Sequence, residues 1–190
     1  MLLILRGAAV TPCEIYGKQS YRSRADILMP GGVKSISVPI KKVGYPSPMT
    51  RFVVISDHGE WRREILHSLH TAYGSSPYFE HYADTITKLV NDSEHLLYRY
   101  NAKWLSWICA TLEIPAPSYV SLTKKGQGAV ERELVDRHHT PSFSIERYWQ
   151  VFEDVHGFQP HLSVLDLLCC LGPEARPYLY AQLSSLFLKS

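Results

Sequence analysis

Apolar and polar positions alternate over Ser35–Ile40. Ile36, Val38 and Ile40 fall on one side, and Ser35, Ser37 and Pro39 on the other. A period of two marks a strand with one buried face. Pro30, Gly31 and Gly32 supply turn chemistry just before it. The segment KQSYRSRADI ahead of that turn is therefore expected to pair with residues 33–40. RFVVIS, Arg51–Ser56, reads as a further strand, with GYPSP as the loop between. MLLIL at the start also reads as a strand, because its apolar run ends at Arg6 and lacks the charged flank of a signal peptide.

The period then changes to 3.6. From Trp61, apolar residues recur at Ile65, Leu66, Leu69, Ala72 and Tyr73, which predicts an amphipathic helix. Ser76 and Pro77 suit the start of a second helix, whose stripe is Phe79, Tyr82, Ile86, Leu89 and Val90. A third helix is expected from Asp92 or Ser93. It buries Leu97, Trp104, Leu105, Ile108 and Leu112 and ends before Pro115–Pro117. Residues 121–142 have weak periodicity and read as a loop or a short strand pair. Ser144 is expected to open a helix with Tyr148, Val151, Phe152 and Val155 on one face. Ser163 and Asp166 resemble a capping box ahead of the apolar run that stops at Gly172, and a last helix would run from Pro173 to about Leu188.

The expected fold class is α+β: a small antiparallel sheet from the N-terminal third, packed under four or five helices. One domain is expected over residues 1–190, sheet-rich over 1–56 and helical over 57–190, with a variable segment at 118–143. Strands do not alternate with helices, and neither a Walker loop nor a GxGxxG motif occurs, so a dinucleotide-binding parallel sheet is not expected.

Composition narrows the chemistry. The chain has 190 residues, 45% hydrophobic and 20% charged, with a net charge of +2. That balance is ordinary for a globular domain and too weak to draw nucleic acid by bulk electrostatics, so any anion site must be local. No stretch reaches the roughly 18–20 apolar residues of a membrane span. Cys13, Cys109, Cys169 and Cys170 form no CxxC pair, which fits a reduced, cytoplasmic setting.

KQSYRSR, Lys18–Arg24, is the local concentration of charge. As a strand it would place Lys18, Ser20, Arg22 and Arg24 on one face. Such a face is either a solvated edge that deters strand addition or a clamp for a carboxylate or phosphate. Two arginines about 7 Å apart repel by only about 0.6 kcal/mol in water, and several-fold more in a cleft, where they would want an anion or an acid partner. SDHGEW, Ser56–Trp61, sits where strand hands over to helix. Ser56 or Asp57 would cap the helix and Gly59 make the bend. Alternatively, Asp57 and His58 are an orienting acid and a general base.

The histidines His67, His70 and His81 lack the spacing and third ligand of a zinc site, and His138–His139 lie in the loop. Nothing places a base beside Cys13. Gln150, Gln159 and His161 stand near a turn between helices, where they could line a pocket, and Asp166 reads as a cap. No metal and no cofactor are called for.

The ordered set YGKQSYRSRADI, SVPI, ISDHGEW, AYGSSPYFEHYAD and YWQVFEDVHGFQPHLSVLDLLCCLGPEA resembles the bacterial WbqC-like family, in its Bacteroidetes-type pattern, over most of the chain. The resemblance departs from the family at two points. The segment P-x-x-Y-F/Y ahead of Cys13 is missing, as in a member shortened at the N-terminus. Ile65 stands where several members carry His. The resemblance implies an enzyme of O-antigen or other surface-polysaccharide biosynthesis, transferring a glycyl, aminoacyl or acyl group to an amino sugar. Arg22 and Arg24, with Lys18, would then hold a small anionic substrate such as a sugar nucleotide or an amino acid. Asp57 and His58 would be the acid–base pair, and Tyr73, Tyr148 and Gln150 would belong to the pocket. The alternative is a non-catalytic binding or scaffold protein of the same pathway, working with a partner protein. Neither reading involves nucleic acid.

Overall fold

The computed structural model describes residues 10–119, apart from 19, 43 and 45, and residues 145–187. Two strands, β1 (Arg24–Met29) and β2 (Gly32–Ser37), form an antiparallel hairpin around Pro30–Gly31, in the register Arg24↔Ser37 to Met29↔Gly32. The hairpin agrees with the turn and with the start of the alternation, but β2 ends at Ser37 rather than running to 40, and β1 starts only at Arg24. Residues 20–23 form turns and bends instead. Ser20 Oγ donates to the Gly17 carbonyl at 2.9 Å, and the Ser23 amide to the Ser20 carbonyl at 3.3 Å. Such local bonds offer the backbone an alternative to a strand ladder. The shared strand face of Lys18, Ser20, Arg22 and Arg24 therefore does not form.

Three long helices follow: α1 (Trp61–Tyr73), α2 (Phe79–Val90) and α3 (Leu97–Thr111). After them come a short turn of helix α4 (Glu153–His156), then α5 (Val164–Leu171) and α6 (Ala175–Phe187). The architecture is α+β. Helix α1 is its centre and touches both strands, α2 and α5. Its stripe of Trp61, Ile65, Leu69, Ala72 and Tyr73 is buried, as the 3.6 period requires. Burying each such large side chain contributes about 1.5–3 kcal/mol. One contiguous core joins Ile27, Ile55, Leu69, Ile86, Leu97 and Leu168 across β1, α1, α2, α3 and α5, Leu179 of α6 extends it, and Ile36 of β2 packs against it.

Several expected boundaries move. Residues 51–56 form no strand: Thr50–Phe52 is a 3-10 turn, and Val54 and Ile55 make single bridges to Leu96 and Ile40. Helix α2 begins at Phe79, and Ser76 donates to the Tyr73 carbonyl rather than capping. Helix α3 begins at Leu97, because Asp92 and Glu94 bond their own loop: Asp92 Oδ1 accepts from the Glu94 amide and Glu94 Oε1 from the Leu96 amide.

The largest difference is at 145–155, where the sequence predicts a full amphipathic helix and, among the described residues, helix forms only in α4. Val155, one of its apolar stripe, is 70% exposed, while Gln150 is fully buried. The polar side chains of this segment bind inward and break the helical face. The expected strand at MLLIL and the segment 121–142, with His138 and His139, lie outside the described residues.

Two bonds tie the C-terminal part to the hairpin. The Ser163 amide donates to the Asp26 carbonyl, and His156 Nε2 to the Pro30 carbonyl, both at 2.8 Å. They bring the start of α5 against β1, where a cleft opens. No helix among the described residues is long and apolar enough to cross a membrane.

Candidate functional site

The cleft lies between the hairpin, α1, α3 and the start of α5, and has a volume of about 350 Å³. Ile36 and Val38 from the β2 side, Ile65 and Leu69 from α1, and Leu105 and Ile108 from α3 form its floor. Trp104 and Tyr100 add aromatic surface. Arg22, Arg24, Tyr21 and Asn101 supply its larger polar groups, with Ser23, Ser37 and Ser163 beside them. An apolar concavity with a few convergent polar groups is the usual form of a small-molecule site.

The two arginines differ. Arg22 is ion-paired with Glu14, and their side chains are only 18% and 9% exposed. Asn101 Nδ2 donates to the Arg22 carbonyl at 2.6 Å and pins the segment to α3. The Tyr16 hydroxyl and Ser23 Oγ, 3.0 Å apart, hold the next turn. Among the described residues no acid pairs with Arg24, which is half-buried on the first position of β1. Tyr21 donates to Asp26 Oδ2 at 3.2 Å. Lys18 is exposed and does not line the cleft. Glu14 carried no signal in the sequence, since only the folded chain, with its turn at 20–23, brings it beside Arg22.

Asp57 and His58 also stand outside the cleft, exposed on the approach to α1. Asp57 pairs with Arg62 at 3.5 Å, and the His58 amide donates to Ser56 Oγ at 3.3 Å. Gly59 makes the bend at φ +79, as expected, but neither Ser56 nor Asp57 caps α1, and its N-terminal residue Glu60 makes no side-chain cap. Trp61 Nε1 instead donates to the Ser56 carbonyl at 3.1 Å.

Tyr73, Tyr148 and Gln150 converge elsewhere, on Asp166. The Tyr148 hydroxyl donates to Asp166 Oδ2 at 2.6 Å, and Gln150 Nε2 to the same oxygen at 3.0 Å. Gln150 also holds Gln159 at both backbone groups, donating to its carbonyl at 2.9 Å and accepting from its amide at 2.8 Å. The buried Tyr73 hydroxyl faces the same carboxylate, without an aligned hydrogen bond among the described residues. Burial pushes the Asp166 carboxyl above the usual range, opposed by the Tyr148 and Gln150 bonds. Burial first, then the Asp166 charge, raises Tyr73 and Tyr148, and the Cys169 thiol is pushed up to about 12 by the same two causes.

Ser163 caps α5 by accepting from the Leu165 amide at 3.3 Å. Asp166 does not complete a capping box, because the Ser163 amide is taken by Asp26 and the carboxylate turns inward. This cluster is enclosed and does not reach the cleft, so its four side chains act as a structural bolt between α1, α5 and the segment 148–159.

A wider, open groove of about 680 Å³ runs between α1 and α2, past Arg62, Arg63, His67 and His70. Its polar residues are mostly exposed helix-surface side chains. The smaller cleft, with its half-buried arginine over an apolar floor, is the stronger candidate. Among the described residues no three His, Cys, Asp or Glu side chains cluster to hold a metal.

The profile of the WbqC-like protein family matches residues 12–140, which include Glu14, Arg22, Arg24 and all of α1 to α3. A relative, the uncharacterised protein Rv1507c of Mycobacterium tuberculosis, is 26% identical over 193 residues, covering 86% of this chain and 83% of its own. No solved structure matches the chain.

Proposed function

The chain belongs to the WbqC-like protein family, and from that premise we propose that its cleft holds a small anionic molecule in surface-polysaccharide assembly, for transfer of an acyl or aminoacyl group to an amino sugar. The observation that carries this reading is Arg24, half-buried and without an acid partner among the described residues, beside an apolar floor. A guanidinium so placed favours a carboxylate or phosphate, because its planar donors match either anion. In the transfer, the sugar amine would attack the activated carboxyl carbon. The new amide bond forms, the leaving group departs with its electron pair, and a base takes the amine proton.

A second reading is a protein that binds or delivers the ligand without turning it over. One arrangement favours it: Asp57 and His58, the acid–base candidates, do not line the cleft.

A thermal-shift screen with sugar nucleotides and amino acids tests the binding. A ligand that binds only the folded state raises the melting temperature, and the Arg22→Ala, Arg24→Ala double variant is expected to lose that rise. A rise that survives in the double variant removes the cleft from the proposal. Turnover assays on any ligand found separate the two readings.

A further inference from the structure

The charge arrangement at the cleft goes further than the presence of two arginines. Arg22 and Glu14 are mutually neutralised and little exposed. Asn101, the neighbouring amide, spends one N–H on the Arg22 carbonyl at 2.6 Å. One cation, Arg24, is left without an acid among the described residues that line the cleft or pair across it. Beside it lie Ile36, Ile65, Leu69, Leu105 and Ile108, and among these floor residues hydrogen-bonding groups come from the Trp104 indole N–H and the largely buried Tyr100 hydroxyl.

The volume of about 350 Å³ sits at the small end of ligand sites, which run from roughly 300 to 1,000 Å³. A diphosphate needs two or more cations, or a metal, and a sugar with a nucleobase needs many polar partners. Among the described residues the cleft supplies one guanidinium without an acid partner, the small polar groups of Ser37, Ser163 and Asn101, and a floor that is mainly aliphatic. Sugar hydroxyls placed on that floor would lose their water and gain little.

We propose that the cleft takes a monoanion with an apolar body: a carboxylate carrying an aliphatic chain, its head on Arg24 and its chain over Leu69, Leu105 and Ile108. This inference rests on the reading of the cleft as the ligand site and narrows its ligand class. Glu14 is then a specificity-determining residue that acts through Arg22, because it removes the second positive charge a diphosphate would use.

The experiment is calorimetric titration of the full chain with octanoate and, separately, with UDP-N-acetylglucosamine. Octanoate is expected to bind at least about tenfold more tightly than the sugar nucleotide. Arg24→Gln is expected to weaken octanoate by about tenfold or more, and Arg24→Lys to restore part of the loss, since a point charge replaces a bidentate head. Glu14→Gln frees Arg22 and is expected to improve UDP-N-acetylglucosamine binding by a larger factor than octanoate binding. Unliganded melting curves check that each variant is folded, and Leu105→Trp, which fills the floor, gives an independent block of the chain. Tighter binding of the sugar nucleotide by the wild type, weakened by Arg22→Gln, overturns the monoanion inference and leaves the cleft as the site. Binding of neither ligand, or octanoate binding that survives both Arg24→Gln and Leu105→Trp, overturns the inference. In the case of neither, the melting screen with amino acids and its Arg22→Ala, Arg24→Ala control decide the cleft reading separately.

Discussion

The Tyr148 hydroxyl donates to Asp166 Oδ2 at 2.6 Å, joining two residues 18 positions apart at the centre of a buried polar cluster. Gln150 shares the same oxygen and also clasps the backbone of Gln159. Buried polar groups so arranged stabilise only while each keeps its partners.

Tyr148→Phe removes the shorter of the two bonds on Asp166 Oδ2. The expected loss is about 1.5–3 kcal/mol, because the acceptor is a buried carboxyl left under-satisfied. Urea unfolding followed by circular dichroism measures it. A loss below about 0.5 kcal/mol would mean that the cluster is not a structural bolt.

Asp166 also sets a pH dependence. Its carboxyl is raised above the ordinary 3.8 by burial. The folded state therefore binds the proton more readily than the unfolded chain, and the contribution to stability is complete below pH 3.8 and lost as pH rises through the raised value. Asp166→Asn cannot ionise. The expected outcome is that the variant gains stability relative to the wild type between pH 4 and 7. Paired carboxylates such as Asp92, held below the usual range first by its Lys103 bond, act in the opposite sense in both proteins and cancel in the difference. Parallel stability–pH curves for the two proteins would refute the assignment.

Gly172 ends α5 at φ +53, and a Cβ there would meet Tyr78 Cδ1 at 2.5 Å. Gly172→Ala combines backbone strain with a clash against an aromatic ring. It is expected to cost on the order of 2–4 kcal/mol, read as a lowered urea midpoint. Tyr78→Ala in the same background is expected to recover the part due to the clash.

Asp57→Ala and His58→Ala change two exposed side chains, one of them in a 3.5 Å surface pair. Each is expected to alter stability by less than about 0.5 kcal/mol. Each is also expected to leave any ligand-induced melting shift intact, because neither side chain lines the cleft. A lost shift with unchanged stability would bring them into the ligand site.

Much of the architecture was legible in the chain. The period-two run at Ser35–Ile40 and the turn at Pro30–Gly32 correspond to the hairpin, and the stripes from Trp61, Phe79 and Leu97 to α1, α2 and α3. These patterns report which side of a regular element must leave water, and that requirement is local. The segment 144–155 misled for the same reason. Its aromatic and aliphatic spacing suggested a helix, whereas Gln150 and Glu153 are the residues it buries.

What the chain determined by itself is the set of elements, their buried faces and the family pattern. The tertiary structure alone decided the fate of the polar residues. The resemblance places Tyr73, Tyr148 and Gln150 in the pocket, and they do meet, but around Asp166 in a largely buried cluster away from the cleft. Arg22 and Arg24 looked equivalent two positions apart, yet Glu14 takes one and leaves the other at the cleft. The physical reason is that a hydrophobic side chain needs only to be out of water, so its period suffices to place it. A polar side chain is placed by a particular partner at hydrogen-bond distance, and that partner comes from a remote element that only the packed fold brings near.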